Sequence, residues 1–288
     1  MRNNSPWLAG ARPRTLPAAV VPVLVGTAIA HAEGDVVWWR ATAAMVVALA
    51  IQVGTNYAND YSDGVRGTDE ARVGPVRLVA AGLATPTAVK RAAIAAFAVA
   101  GVVGLVLSLA VDPRLLVVGA ASIAAGWLYT GGPRPYGYAG MGEAFVFVFF
   151  GLVAVIGSAY VHVERVPFLA LLAAVPVGLL ATALLVVNNL RDIPGDTAAA
   201  KFTLAVRIGD DATRLLYVLC VVTPFVLALP VAMLEPAAVI VLGAAWFAAR
   251  PVRTVLAGES GRGLVAVLQD TARLQLAFGA LFALGIAL

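Results

Sequence analysis

From Leu16 to Leu288 the chain passes again and again through apolar stretches of membrane length, and this repetition limits its fold more than any other feature. The stretches fall at about 15–32, 41–59, 92–111, 115–130, 141–162, 168–188, 215–234, 236–250 and 270–288. A helix that crosses a bilayer needs roughly 20 apolar residues. Nine transmembrane helices in a bundle is therefore the simplest all-α arrangement, with the fourth and eighth stretches short. Of 288 residues, 61% are hydrophobic and only 12% charged, too little polar surface to cover a water-soluble core. A lipid solvent removes that difficulty, provided each backbone N–H and C=O is satisfied inside a helix. The first residues have no small-residue cleavage site, so no cleaved signal is expected.

The net charge of +4 is mostly a matter of topology. With the N-terminus placed in the cytoplasm, seventeen of the twenty Lys and Arg residues fall in inside segments. Only Arg40, Arg114 and Arg165 fall outside. This is the positive-inside pattern, and it gives no reason to expect nucleic acid as a partner. Trp38 and Trp39 then belong to the outer aromatic belt. The single cysteine, Cys220, lies in an apolar run and is expected to pack. His31 and His162 are too far apart in sequence to suggest a metal site.

Two inside loops are expected, at about 60–91 and 189–214. Each follows the second helix of a four-helix group. The chain reads as a single domain, 1–288, with pseudo-repeats at about 11–130 and 141–250 and one appended helix. The first loop opens NYANDYSDGVRGTD and the second NNLRDIPGDTAAAK. If the helices continue past the membrane surface, Asn59 and Asp63 share one face at i, i+4, as do Asp192 and Asp196. Pro194 and Gly195 suggest a kink or a new helix start within the second pair. Carboxylates on facing helices repel unless a cation lies between them. Carboxylate and amide oxygens without His or Cys suit Mg²⁺, a cation that prefers to share itself with substrate phosphates. The two clusters thus look like a clamp for a diphosphate, with Arg72, Arg77, Arg191 and Lys201 to neutralise the remaining charge.

These residues resemble the UbiA superfamily of intramembrane aromatic prenyltransferases over nearly the whole chain. Three segments are similar to the branch that prenylates 1,4-dihydroxy-2-naphthoate in menaquinone synthesis: 59–77, 129–143 and 188–209. The N-terminal segment 11–28 is similar too. In the 4-hydroxybenzoate branch a third acid is expected four residues after the second, whereas Asp69 lies six after Asp63.

The resemblance implies an Mg²⁺-dependent transfer from polyprenyl diphosphate to dihydroxynaphthoate, with loss of CO₂, at a site facing the cytoplasm of a bacterial-type inner membrane. It implies metal ligation by Asn59, Asp63, Asp69, Asp192 and Asp196. Asp60, Asp63, Asp192, Asp196 and Lys201 become the catalytic candidates, and Arg72, Arg77, Arg134, Tyr138, Asn189 and Arg191 the substrate-binding ones. Tyr136 and Glu143 join Arg134 and Tyr138 as candidates to orient the acceptor, and Arg12 and Arg14 face either substrate or lipid head groups. Phe145, Phe147, Phe149 and Phe150 are expected chiefly to face lipid, with a prenyl tunnel as the alternative. Other acceptors (4-hydroxybenzoate, homogentisate, haem) and a cation-coupled transporter are the competing readings.

Overall fold

The computed structural model describes residues 5–34, 36–68 and 77–288. Every regular element among them is helical. We number the principal helices α1 (Pro6–Ala11), α2 (Pro17–Ala32), α3 (Trp38–Arg66), α4 (Pro86–Val111), α5 (Leu115–Leu128) and α6 (Gly142–Val163). They continue with α7 (Phe168–Ala198), α8 (Leu204–Ile208), α9 (Asp210–Leu234), α10 (Pro236–Leu256) and α11 (Gly263–Ala287). Six of them, α3, α4, α6, α7, α9 and α10, are long and apolar enough to cross a membrane. The segments Pro6–Thr15 and Pro17–Ala32, bent by 50°, make a seventh if they form one span. Helix α5, at 14 residues, is shorter.

The chain marks several of these ends with local chemistry. Thr85 caps α4 by accepting the Ala88 N–H, and Pro86 follows at the first helical position, where its missing N–H costs nothing. Gly67 ends α3 at φ +72°, in the left-handed region that a side chain disfavours. Both acidic segments are helical and not loops. Helix α3 continues through Asp63 to Arg66, and α7 continues through Asp192, Pro194 and Asp196 to Ala198. The expected loop at 189–214 therefore begins only after residue 198. Pro194 removes one backbone hydrogen bond near the end of a 31-residue helix that is already anchored by burial, and this does not break it.

Helix α7 is the axis of the larger core. Val177, Leu180, Ala183, Val186 and Val187 are fully buried on it, and α2, α6, α9, α10 and α11 contribute Val21, Ile29, Val155, Tyr217, Val241 and Phe278 to the same cluster. Helices α3 and α4 pack on each other around Tyr57 and Phe97. The outward face of α4 carries Val102, Val106 and Leu109, apolar and exposed, as a lipid-facing surface requires. Helix α6 holds a π-helical turn at Phe147–Val153. The turn lets Gly151 meet Gly178 of α7 backbone to backbone: a Cβ on Gly151 would lie 2.5 Å from the Gly178 Cα. Small residues at such crossings let membrane helices approach closely.

Substituting Gly178→Val should therefore wedge α6 from α7 and destabilise the protein by about 1–3 kcal/mol. Thermal unfolding in detergent tests this, and an unchanged midpoint would show that the crossing is not tight.

Candidate active site

A cavity of about 600 Å³ lies between α2, α3, α4, α5, α6 and α7. At one end its wall is polar. Gln52, Asn56, Asn59 and Asp63 line that end from a single face of α3, spaced 4, 3 and 4 residues apart, and all four are buried. Each is held. The Gln52 amide donates to Thr15 Oγ1 at 3.0 Å, and the Asn56 amide donates to the Ala11 carbonyl at 2.9 Å and to Thr15 Oγ1 at 3.0 Å. Asn59 Oδ1 accepts from the Thr130 hydroxyl at 2.8 Å, and Asp63 Oδ1 accepts from the Tyr138 hydroxyl at 2.7 Å. Burial and the Asp63 carboxylate push the Tyr138 phenol well above its usual 10, so it keeps the proton that it donates. Arg12, itself at φ +52°, also lines the cavity and donates to the Asn56 carbonyl at 3.4 Å. Arg14 turns instead to the Gln269 side-chain amide of α11.

The second cluster comes from the end of α7. Arg191 grips Asp192 with two donors, Nε to Oδ1 at 2.7 Å and Nη2 to Oδ2 at 2.8 Å, and also donates to Asn188 Oδ1 at 2.9 Å. Its guanidinium is thus oriented by its own helix. Asn188 and Asn189 line the cavity, and the Asn189 amide donates to buried Glu143 Oε1 at 2.9 Å.

Lys201 joins the clusters. Its Nζ lies 3.6 Å from Asp196 Oδ1 and 3.9 Å from Asp63 Oδ2, and 5.0 Å from the centre of the Tyr138 ring. Arg77 Nη2 approaches Asp63 Oδ2 at 3.9 Å. Asp63, Arg77 and Lys201 therefore line the polar end of the cavity, with Tyr138 in contact with Asp63 and Asp196 in contact with Lys201. Among the described residues no three acids, histidines or cysteines converge closely enough to hold a metal by themselves. Oxygen ligands are nevertheless present from both helices, paired at this point with basic side chains. That donor chemistry fits Mg²⁺ shared with a phosphate-bearing ligand.

Other expected residues fall elsewhere. Asp60 is fully buried, but its Oδ2 accepts the Leu78 N–H at 2.9 Å and its Oδ1 the Val79 N–H at 3.1 Å. These contacts make Asp60 a clamp on the returning chain, although it lies only one helical turn from Asp63 on α3. Arg134 is exposed and does not line the cavity. Asp69 and Arg72 lie outside the described residues. Phe145, Phe149 and Phe150 line the cavity, contrary to the lipid-facing expectation, while Phe147 packs toward Gly178. Gln52, Thr15 and Thr130 were not anticipated. A sequence signal for Gln52 exists, since it continues the polar face of α3 by one turn.

The UbiA prenyltransferase family profile matches residues 19–267. A 1,4-dihydroxy-2-naphthoate octaprenyltransferase of Mycobacterium tuberculosis (strain ATCC 25618 / H37Rv) is 51% identical over 271 residues, covering 94% of this chain and 93% of that protein. The protein of the same name from Escherichia coli (strain K12) is 41% identical over 215 residues, 72% of this chain and 70% of its own. In fold the chain is similar to a UbiA homolog from Archaeoglobus fulgidus bound to DMAPP and Mg²⁺. The TM-score is 0.64 at 15% identity, with 96% of this chain and 98% of that chain covered.

The assignment of Asp60 is open to a direct check. Asp60→Ala leaves two buried N–H groups without an acceptor and should cost about 1–3 kcal/mol per lost partner, seen as a lowered unfolding midpoint. An Asp60→Ala protein as stable as wild type but inactive would return Asp60 to the catalytic set.

Proposed function

Because this chain belongs to the UbiA prenyltransferase family, we propose that it transfers a polyprenyl group from polyprenyl diphosphate to 1,4-dihydroxy-2-naphthoate, with decarboxylation, to give demethylmenaquinone in its reduced, hydroquinone form. The carrying observation is the meeting of Asp63 of α3 and Asp196 of α7 around Lys201, at the polar end of a mostly apolar cavity. The 51% identity to a dihydroxynaphthoate octaprenyltransferase supports that acceptor over 4-hydroxybenzoate, homogentisate or haem. We further propose nine membrane spans in one domain of two four-helix repeats plus one helix, adding α5 and α11 to the seven above. The N-terminus and the polar end of the cavity face the cytoplasm of a bacterial inner membrane; the distribution of Lys and Arg supports this orientation.

In the mechanism, Arg77 and Lys201 bind the diphosphate and balance the charge that grows on it as the allylic C–O bond breaks. Such prepositioned charge is usually the largest catalytic contribution. Asn59, Asp63, Asp192 and Asp196 would hold Mg²⁺, with Asn188 beside them. Bound Mg²⁺ supplies Lewis-acid stabilisation of the departing diphosphate. Tyr138 and Lys201 fix the Asp63 carboxylate in position. The bonding pair leaves with the diphosphate, and the allylic carbon becomes electron-poor. The apolar wall, including Phe145 and Phe149, excludes the water that would otherwise quench it. The ring carbon that carries the acceptor's carboxylate donates a pair to the allylic carbon. A C–C bond forms, and CO₂ leaves without its bonding pair, which restores the ring.

Asp63→Ala and Asp192→Ala should each lower turnover at least about 100-fold, the range seen when one electrostatic stabiliser is removed. Glu259→Ala, on an exposed turn, should stay near wild type. Purified protein is given dihydroxynaphthoate, farnesyl diphosphate and Mg²⁺, and prenylated naphthoquinone is measured. Chelation with EDTA should stop the reaction and added Mg²⁺ restore it. Near-normal turnover in either aspartate variant would refute the two-cluster clamp, and reaction with a different acceptor alone would refute the substrate.

A further inference from the structure

Helices α10 and α11 meet at the surface in a second cleft, of about 170 Å³, lined by Trp246, Phe247, Arg250, Asp270 and Arg273. None of these residues lines the main cavity. Leu268 does, and it stands two residues before Asp270 on α11. Two residues turn a helix by about 200°, so the cleft and the cavity lie on opposite faces of α11. Their depth is the same. Gln269, beside Asp270, meets Arg14, and the next residue, Thr15, accepts from Gln52 and Asn56 at the polar end of the cavity. The cleft is thus a lipid-side feature, level with the polar groups of the bundle.

Its charges are arranged with the acid beneath the bases. Asp270 is 13% exposed, whereas Arg250 and Arg273 are 74% and 65% exposed. Arg273 Nη1 donates to Asp270 Oδ1 at 3.1 Å, and Arg250 Nε stands 3.5 Å from Asp270 Oδ2. One carboxylate therefore spaces two guanidinium groups and leaves the set one positive charge in excess. Among the described residues, both Nη groups of Arg250 and the Nε and Nη2 of Arg273 donate to no acceptor. A guanidinium does not lose its proton, and one presented to lipid is costly unless it meets an anion or reaches water. Trp246 and Phe247, 84% and 45% exposed, stand beside these free donors as an apolar wall.

We infer that the cleft between α10 and α11 binds the head group of an anionic phospholipid. A phosphodiester carries the single negative charge that the excess positive charge requires. Its non-bridging oxygens suit the fork of a guanidinium, which favours paired hydrogen bonds to phosphate. Phe247 and Trp246 cover the start of the acyl chains, and the indole N–H is free to meet the glycerol ester, the usual station of tryptophan at a membrane boundary. Basic pockets between membrane helices recognise anionic head groups in this way. A zwitterionic lipid fits less well, because its ammonium needs an acceptor and Asp270 is already covered by the arginines. A free phosphate ion would leave the apolar wall unused.

The test offers the full-length protein in detergent phosphatidylglycerol and phosphatidylcholine of matched chains, and counts retained lipids by native mass spectrometry. Wild type should hold one phosphatidylglycerol at least about fivefold more tightly than phosphatidylcholine, the weight of one uncompensated basic side chain near an anionic head group. Arg250→Ala and Arg273→Ala should each lower that affinity roughly fivefold, and the double variant should lose the preference. Arg262→Ala, exposed just ahead of α11 and outside the cleft, should bind as wild type does. Equal retention of the two lipids by wild type would overturn the inference. So would a loss in Arg262→Ala as large as that in Arg250→Ala, or displacement of the lipid by excess inorganic phosphate, which would mark a site for the ion alone. A second measurement needs no variant. Phosphatidylglycerol with a photoreactive group next to its phosphate should crosslink to wild type within 246–250 or 270–273, and crosslinks confined to other segments would overturn the site.

Discussion

Two carboxylates on different helices cannot share a buried site without positive charge between them, and this constraint organises the polar end of the molecule. Asp63 and Asp196 are both within 4 Å of Lys201, and Asp63 is also approached by Arg77. Removing one partner from such a group leaves a charge stranded in a low dielectric, which is why buried ions occur in paired sets. The same set is able to exchange partners. A diphosphate brings negative charge for Lys201 and Arg77, and the released carboxylates then need a cation of their own. In the proposed mechanism substrate and metal would thus satisfy each other's electrostatic requirements.

The rest of the fold serves this arrangement. Helix α7 presents Asp192 and Asp196 from the best-buried span of the protein, and Arg191 uses a bidentate grip to fix Asp192. Helix α3 presents its polar face through contacts with the α1–α2 bend, where Ala11 and Thr15 hold Asn56 and Gln52. The segment between α5 and α6 closes the third side with Thr130 and Tyr138. Arg66 braces that segment, donating to the Thr130 and Gly132 carbonyls, and its guanidinium lies 5.3 Å from the Tyr138 ring. Tyr138, Arg77 and Lys201, from three distant parts of the chain, meet at one carboxylate, Asp63.

Much of this is legible in the sequence, for a physical reason. Lipid permits few backbone solutions, so apolar run length alone locates most helices. Polar residues on such helices are costly enough to mark function, as Asn59, Asp63 and Asp192 do. Residues adjacent in sequence are harder to separate. Asp60 and Asp63 look equivalent in one dimension, but only tertiary structure brings the Leu78 and Val79 N–H groups to Asp60. The π turn in α6 is likewise hidden. It lies in the segment where Phe147 packs on α7 while Phe145, Phe149 and Phe150 line the cavity, and a uniform helical period does not reveal its wider turn. Pro194 misleads in the opposite direction: a breaker by propensity, it sits inside a helix whose packing overrides it.

The two ends of the cavity meet opposite demands with opposite chemistry. At the acidic end a reactive allylic carbon must be kept from water while highly charged groups are held still. That end is accordingly dense in hydrogen bonds, and Asn59, Asp63 and Thr130 are all buried. At the far end a long hydrocarbon has no need of specific partners, because lipid solvates it as well as protein does. The wall at that end is accordingly apolar, with Ala44, Val47 and Leu105 among its residues. Held charges at one end and an apolar wall at the other fit one bundle to a ligand with a charged head and a hydrocarbon tail.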